Sequence, residues 1–443
     1  MINRPVNQRV IQQHLEEAAF YWMRRQGSVW SPAFNFDEIF RLDQLVRSNL
    51  DGIALGGLDA APVSREHLKR WKSIDEIFVT TFLVATLGKS ACQTGTGKKL
   101  AEYLEEMICE NPLLCDGATA GLIWAGQLNS MWLVDRWWNC GDARLVQSAL
   151  PTRALFADDV ALEVVEPAIA IEEPEIKRGL LREIGHLRLV YKLDFVHANL
   201  ESDNLEVAME AAIALYLTKQ VKQVTPILNC LNRLESFAGG DRRRAILIFS
   251  KACSQEEFET WLESQLSNSS PENAAAIRDV IWAIAFRGEL KHLELLKRLL
   301  SEGVELKLVG YAISHLTGID LEAEQLLPAQ QDTDEDQEDL EDVDSQLFGD
   351  LRQATILEDD GLLEPCPDKL LLYLDNWQSK HISLGNQPPI IAGQTMHSIA
   401  RNLYRNGTQP QRWQSAEYLL HIGEISGLVP SLWLPTVPPL KAA

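Results

Sequence analysis

Several features that mark whole classes of protein are missing from this chain. No uninterrupted stretch of 18 apolar residues occurs, and Met1-Ile-Asn-Arg-Pro-Val6 runs directly into a polar amphipathic segment without an apolar leader. We therefore expect neither a membrane span nor a secretory signal, and a soluble, cytoplasmic protein. Cysteines are few and single: Cys92, Cys109, Cys115, Cys140, Cys230, Cys253 and Cys366 are odd in number and include no Cys-x-x-Cys pair. That argues against a zinc ribbon or a disulfide framework and for a reducing compartment. Basic residues are in deficit, 41 against 63 acidic ones, for a net charge of −22. Such a field repels nucleic acid and anionic membranes and steers in a cationic protein partner, although the same charge also serves plain solubility.

Catalytic signatures are scarce too. Gly95-Thr96-Gly97-Lys98 invites a phosphate-loop reading, but Cys92 stands where the motif's first glycine belongs and Lys99 where its Ser or Thr belongs. The segment reads better as an inter-helix loop. Glu183 and His186 share one helical face, yet no second Glu-x-x-His and no His-Glu-x-x-His accompanies them, so a surface ion pair is the expectation rather than a metal site. No Gly-x-Ser-x-Gly elbow occurs, and no cysteine has a nearby histidine to activate it. Neither a cofactor nor catalysis is expected.

What the chain does contain is helical periodicity. Val10, Ile11, Leu15, Ala18, Ala19 and Trp22 recur at spacings of three and four, predicting a first helix from about residue 6 to 24. Asn35 and Glu38 read as a capping box for a second, which Gly52 to Gly57 should end. Further helices are predicted near 74–87, 98–109 and 118–128. From Leu205 the pattern repeats: units begin near Leu205, Arg242, Ala275 and Leu306, 30 to 37 residues apart, with Arg287-Gly288 and Gly303 as breaks. That period suits two-helix solenoid repeats, each too apolar on one face to stand alone. The run 161–171 is ambiguous between helix and strand. Gln387-Pro-Pro-Ile-Ile391 reads as extended loop.

The block Asp332 to Asp344 carries nine carboxylates and no base, leaving −13 on the rest of the chain. Self-repulsion favours a solvated linker there. The fold class expected is all-α: a HEAT-like α-solenoid of stacked hairpins with a small C-terminal unit beyond the acidic linker. Its divisions are an N-terminal helical region (1–140), a repeat region (141–327), the linker (328–365) and a C-terminal unit (366–443) that docks back on the array. Three groups are candidates for binding a partner. Trp132, Trp137 and Trp138 form an aromatic cluster, either core packing or an exposed anchor. Arg242, Arg243 and Arg244 form a basic cluster at a helix start, where they oppose the helix dipole; they meet an acidic surface or remain as solvated turn residues. Asp334, Glu335 and Asp336 sit within the acidic block.

Short segments also resemble an uncharacterised bacterial family of HEAT-like repeat proteins often encoded beside type VI secretion genes. The resemblance rests on His14-Leu-Glu-Glu-Ala-Ala-Phe20 with Trp22, on Leu42-Asp43 leading to Leu50-Asp-Gly-Ile53, on 277–320, on Trp377, and on Gln411-Arg412 to Ala416-Glu417. It covers most of the chain, supplies no catalytic residue, and implies a protein-binding scaffold or adaptor linked to secretion. The alternative is an immunity protein that neutralises a cationic toxin.

Overall fold

The computed structural model describes residues 7–156, 172–218, 224–233, 240–267, 274–328, 361–381 and 390–425. The described residues are mostly helical, with one two-stranded hairpin, so the protein is all-α. No helix among them is long and apolar enough to cross a membrane. The acidic block and the ambiguous run 161–171 lie outside the described residues. The chain divides into two compact units, the first formed by residues 1–26, 37–221 and 425–443 and the second by 27–36 and 222–424.

In the first unit the helices are α1 (Gln8–Ser28), α2 (Phe36–Gly56), α3 (Ala60–Trp71), α4 (Ile74–Ala91), α5 (Gly95–Glu110), α6 (Cys115–Ala125), α7 (Gln127–Trp138), α8 (Ala143–Phe156), α9 (Pro174–Leu187), α10 (Leu193–Ala198) and α11 (Leu205–Leu217). One layer of packing runs α4 on α6, α6 on α8, α8 on α9 and α9 on α11, while α3 packs on α5 to the side. This layering explains the burial of α4 from Glu76 to Ala85 and of α11 from Val207 to Leu217 on all sides. A fully buried Leu, Ile or Phe stabilises by about 1.5–3 kcal/mol, so these two helices anchor the unit.

Two glycines set how closely α4 and α6 approach. A Cβ on Gly117 would stand 2.2 Å from the Ile74 carbonyl, and one on Gly121 would stand 2.5 Å from that of Phe78. The matched spacing of four on both helices means that they run parallel in fixed register. Around that contact Trp22 stacks on Phe78 at 4.6 Å and Phe78 meets Trp124 edge-on at 5.8 Å. Arg25 and Asp43 pair with Nε–Oδ1 at 2.5 Å in the interior, and Arg47 donates to the Trp124 carbonyl at 3.0 Å.

The predicted helices are present with shifted ends. Gly52 lies inside α2, because it is the His14 ring that fills the space where a side chain would stand, and the left-handed Gly57 marks the stop. The segment 118–128 is two helices, since Gly126 (φ 79) breaks it after Ala125. Gly95 to Lys98 is the first turn of α5 rather than a loop. Gly97 is required there by packing, as a Cβ would lie 2.3 Å from the Ala91 carbonyl.

The second unit holds α12 (Thr225–Leu231), α13 (Gly240–Ala252), α14 (Gln255–Ser267), α15 (Ala274–Arg287), α16 (Leu293–Ser301), α17 (Leu306–Thr317), α18 (Pro367–His381), β1 (Ile390–Ile391), β2 (Gln394–Thr395), α19 (Met396–Asn406) and α20 (Gln409–Ile422). Again α13 packs on α15 and α15 on α17, with α14 and α16 flanking them. Helix α18 lies along α16, where Lys297 Nζ donates to Asp375 at 2.7 Å and Gln378 to Glu294 at 2.8 Å. The loop expected at Ile390-Ile391 is instead a strand. A two-residue turn at Ala392 (φ 49) and Gly393 (φ 70) returns it to β2, and the backbone N–H groups of Ile390, Ala392 and Gly393 satisfy the carbonyls of Gly288, His315 and Leu316 at the ends of α15 and α17.

Candidate functional site

Arg242, Arg243 and Arg244 are buried, with 8, 5 and 6% of their surfaces exposed. This corrects the expectation of solvated turn residues. Where α13 packs on α15, Asp279 and Trp282 stand one turn apart on α15. Arg242 Nε donates to Asp279 Oδ2 at 2.9 Å and its Nη2 to the Leu231 carbonyl at 2.9 Å. Arg243 sits 4.0 Å from Asp279 Oδ1 and places its guanidinium 4.5 Å from the Trp282 ring centre, a cation–π contact. The acceptor that makes arginine tolerable in this interior is 37 residues away, which is why the run of three gives no local hint of it.

The tryptophans divide between interior and half-buried positions on α7. Trp137 is fully buried and donates Nε1–H to Glu105 on α5 at 2.9 Å; the half-buried Trp132 donates to the Ala85 carbonyl of α4 at 3.0 Å. Trp138 is buried, with Arg153 of α8 lying 5.1 Å from its ring centre. Asp334, Glu335 and Asp336 lie outside the described residues. Glu183 and His186 do share a face of α9, but both are buried, so the expected surface ion pair is corrected: α9 is flanked by α8 and α11. Among the described residues, no three His, Cys, Asp or Glu side chains are grouped as a metal would need.

The polar constellation that the pattern of residues did not single out lies in the second unit, beside a cavity of about 410 Å³ bordered by Pro32, Tyr311, Ser314, His315, Leu321 and Thr408. His315 is 1% exposed and bridges two helices: its Nδ1 lies 3.0 Å from the Tyr311 hydroxyl and its Nε2 2.9 Å from Gln414 Oε1. Gln414 Nε2 donates to the Phe286 carbonyl at 3.0 Å, which orients the amide with oxygen toward the ring. His315 must then carry its proton on Nε2 and accept from Tyr311 at Nδ1, so the neutral imidazole is the form that satisfies both neighbours. Burial pulls its pKa down to about 4, the Gln414 hydrogen bond opposing, and burial likewise raises that of Tyr311 above the usual phenol range. On α13 the half-buried Lys251 is brought down to about 8 by burial, with the Glu417 carboxylate of α20 working against it. With both ring nitrogens already engaged, this chain holds α15, α17 and α20 in place rather than offering a free base to the cavity. Its members are 99 residues apart along the chain, beyond any local motif.

Comparison of the chain with protein-family models, curated proteins and solved structures gives no match.

Proposed function

We propose that the chain is a non-catalytic protein-binding adaptor whose helical hairpins form a HEAT-like array. One observation carries the reading: lateral polar contacts within each unit recur at nearly one repeat length. Thr119 reaches the Ser148 carbonyl 29 residues on, Arg136 reaches Glu105 over 31, Arg182 reaches Glu210 over 28, and in the second unit Gln265 reaches Asn232 and His292 reaches Glu259 over 33. A ladder of rungs about 30 residues long is what stacking of like hairpins produces, and such stacks bind through extended surfaces. The resemblance set out above is what supports a link of the adaptor to type VI secretion components.

The net charge of −22 favours a partner with a basic surface, and on that ground an immunity protein against a cationic toxin is the second reading. Affinity capture from the native host with mass spectrometry tests both. A basic protein retained at low salt and released at high salt is the expected result, a secretion component pointing to the adaptor and a toxin to the immunity role. Copurification of a small molecule that the chain consumes would overturn both.

A further inference from the structure

The cavity of about 410 Å³ beside His315 gathers hydrogen-bond acceptors within apolar walls. Pro32, Ile319 and Leu321, all buried, supply apolar wall. Among the described residues that border it there is no lysine or arginine, and Asp320 is the single carboxylate. Asp320 makes no ion pair among the described residues; its Oδ1 accepts from the N–H groups of Glu322 and Ala323, both at 3.0 Å, and Oδ2 keeps its lone pairs. The buried chain fixes what the neighbouring hydroxyl can offer. Gln414 Nε2 donates to the Phe286 carbonyl at 3.0 Å, so Oε1 accepts the Nε2–H of His315 at 2.9 Å, and His315 Nδ1 in turn accepts the Tyr311 O–H at 3.0 Å. With its proton committed, the Tyr311 oxygen has only lone pairs left for a ligand. One turn on along α17, Ser314 Oγ is buried without a hydrogen-bond partner among the described residues, a state that costs stability until a ligand or water meets it. An anion would meet a carboxylate and lone pairs there with no compensating charge, whereas an ammonium group brings three donors and the opposite charge.

We propose that this cavity is a socket for a lysine side chain presented by the partner, the apolar stem lying along Pro32, Ile319 and Leu321 and the ammonium group donating to Asp320, Tyr311 and Ser314. The source of the lysine rests on the adaptor reading above, which calls for a partner with a basic surface; the preference for an ammonium group rests on the cavity alone. Lysine suits the socket better than arginine. Its compact head turns three donors toward acceptors that come from successive turns of one segment, while a planar guanidinium needs acceptors arranged in its own plane. Acetylation of that lysine removes the charge and all but one donor, so it switches the contact off.

The test is a titration of the full chain at low salt with a capped peptide of glycines around one central lysine, read by saturation transfer to the lysine methylenes in NMR. The unaltered chain should bind this peptide at least fivefold more tightly than the same peptide with its lysine acetylated or replaced by norleucine. Asp320→Asn should lose at least tenfold in affinity, because asparagine keeps the oxygen that accepts from Glu322 and Ala323 and so the turn, but not the charge. Ser314→Ala should weaken binding several-fold. Glu302→Gln, at an exposed position on the same unit, should leave it unchanged and so separates the socket from general attraction to an acidic chain.

The comparison of the three peptides on the unaltered chain does not depend on whether any variant folds. Equal affinity for all three, or equal losses in Asp320→Asn and Glu302→Gln, overturns the proposal. So does binding of free butylammonium without binding of the lysine peptide, which would make the cavity a site for a small amine. A basic partner captured as well by Asp320→Asn as by the unaltered chain overturns the socket and leaves the adaptor reading standing, whereas capture that yields no basic partner overturns the adaptor reading and, with it, the partner as the source of the lysine.

Discussion

His315 ties its protonation state to folding. Held at about 4 by burial while a histidine in the unfolded chain titrates near 6.5, it binds protons more readily when unfolded. Its contribution is present in full above pH 6.5 and is lost as pH falls toward 4. By pH 5 the loss should reach about 2 kcal/mol. His292, also lowered by burial although Glu259 opposes, acts in the same direction. Urea unfolding followed at pH 7, 6 and 5 should show this decline, and His315→Leu should be less stable at pH 7 yet flatter across the range. An equally steep decline in that variant would place the proton uptake elsewhere. Asp279 is the other residue on which much depends: Asp279→Ala leaves the buried Arg242 without its carboxylate and should cost about 3 kcal/mol or more. A fall in thermal midpoint no larger than that of an exposed Asp375→Ala control would show that Arg242 finds another partner.

Between elements, distance is set by glycine as much as by apolar bulk. Gly97→Ala should destabilise by about 1–3 kcal/mol despite alanine's better helix propensity, because its Cβ meets the Ala91 carbonyl and forces α5 away from the end of α4. Gly179→Ala on α9 is the matched control. Nothing lies within 4 Å of its added Cβ, so the gain in propensity, up to about 1 kcal/mol, should appear as a higher midpoint. Two variants with the same sign would mean that close packing does not decide the matter. At this scale the hairpin shows how much side-chain pattern leaves out: two strand residues and a tight turn suffice because their N–H groups meet orphan carbonyls of α15 and α17.

For the molecule as a whole, the charge outside the acidic block is still −13, so association with a basic partner should be fast at low salt and slow as salt rises. Deleting 332–344 should reduce the association rate and its salt dependence while leaving the complex intact, as stopped-flow or surface-binding kinetics would show; abolished binding would make the block itself the ligand. The all-α class and many of the helices are legible in the residues alone, although α3 (Ala60–Trp71) and α8 (Ala143–Phe156) are not. Apolar residues at spacings of three and four must be buried along one face, and Gly288 and Gly303 break the chain where the left-handed conformation is needed. Which polar residues lie inside depends instead on how the helices pack. Arg242 reads as a surface charge until Asp279 is beside it, and His315 as an ordinary helix residue until Gln414 reaches it. Apolar burial is a property of each residue and leaves its trace in local periodicity, whereas a buried charge or imidazole acquires its role from a partner that the chain supplies tens of residues away.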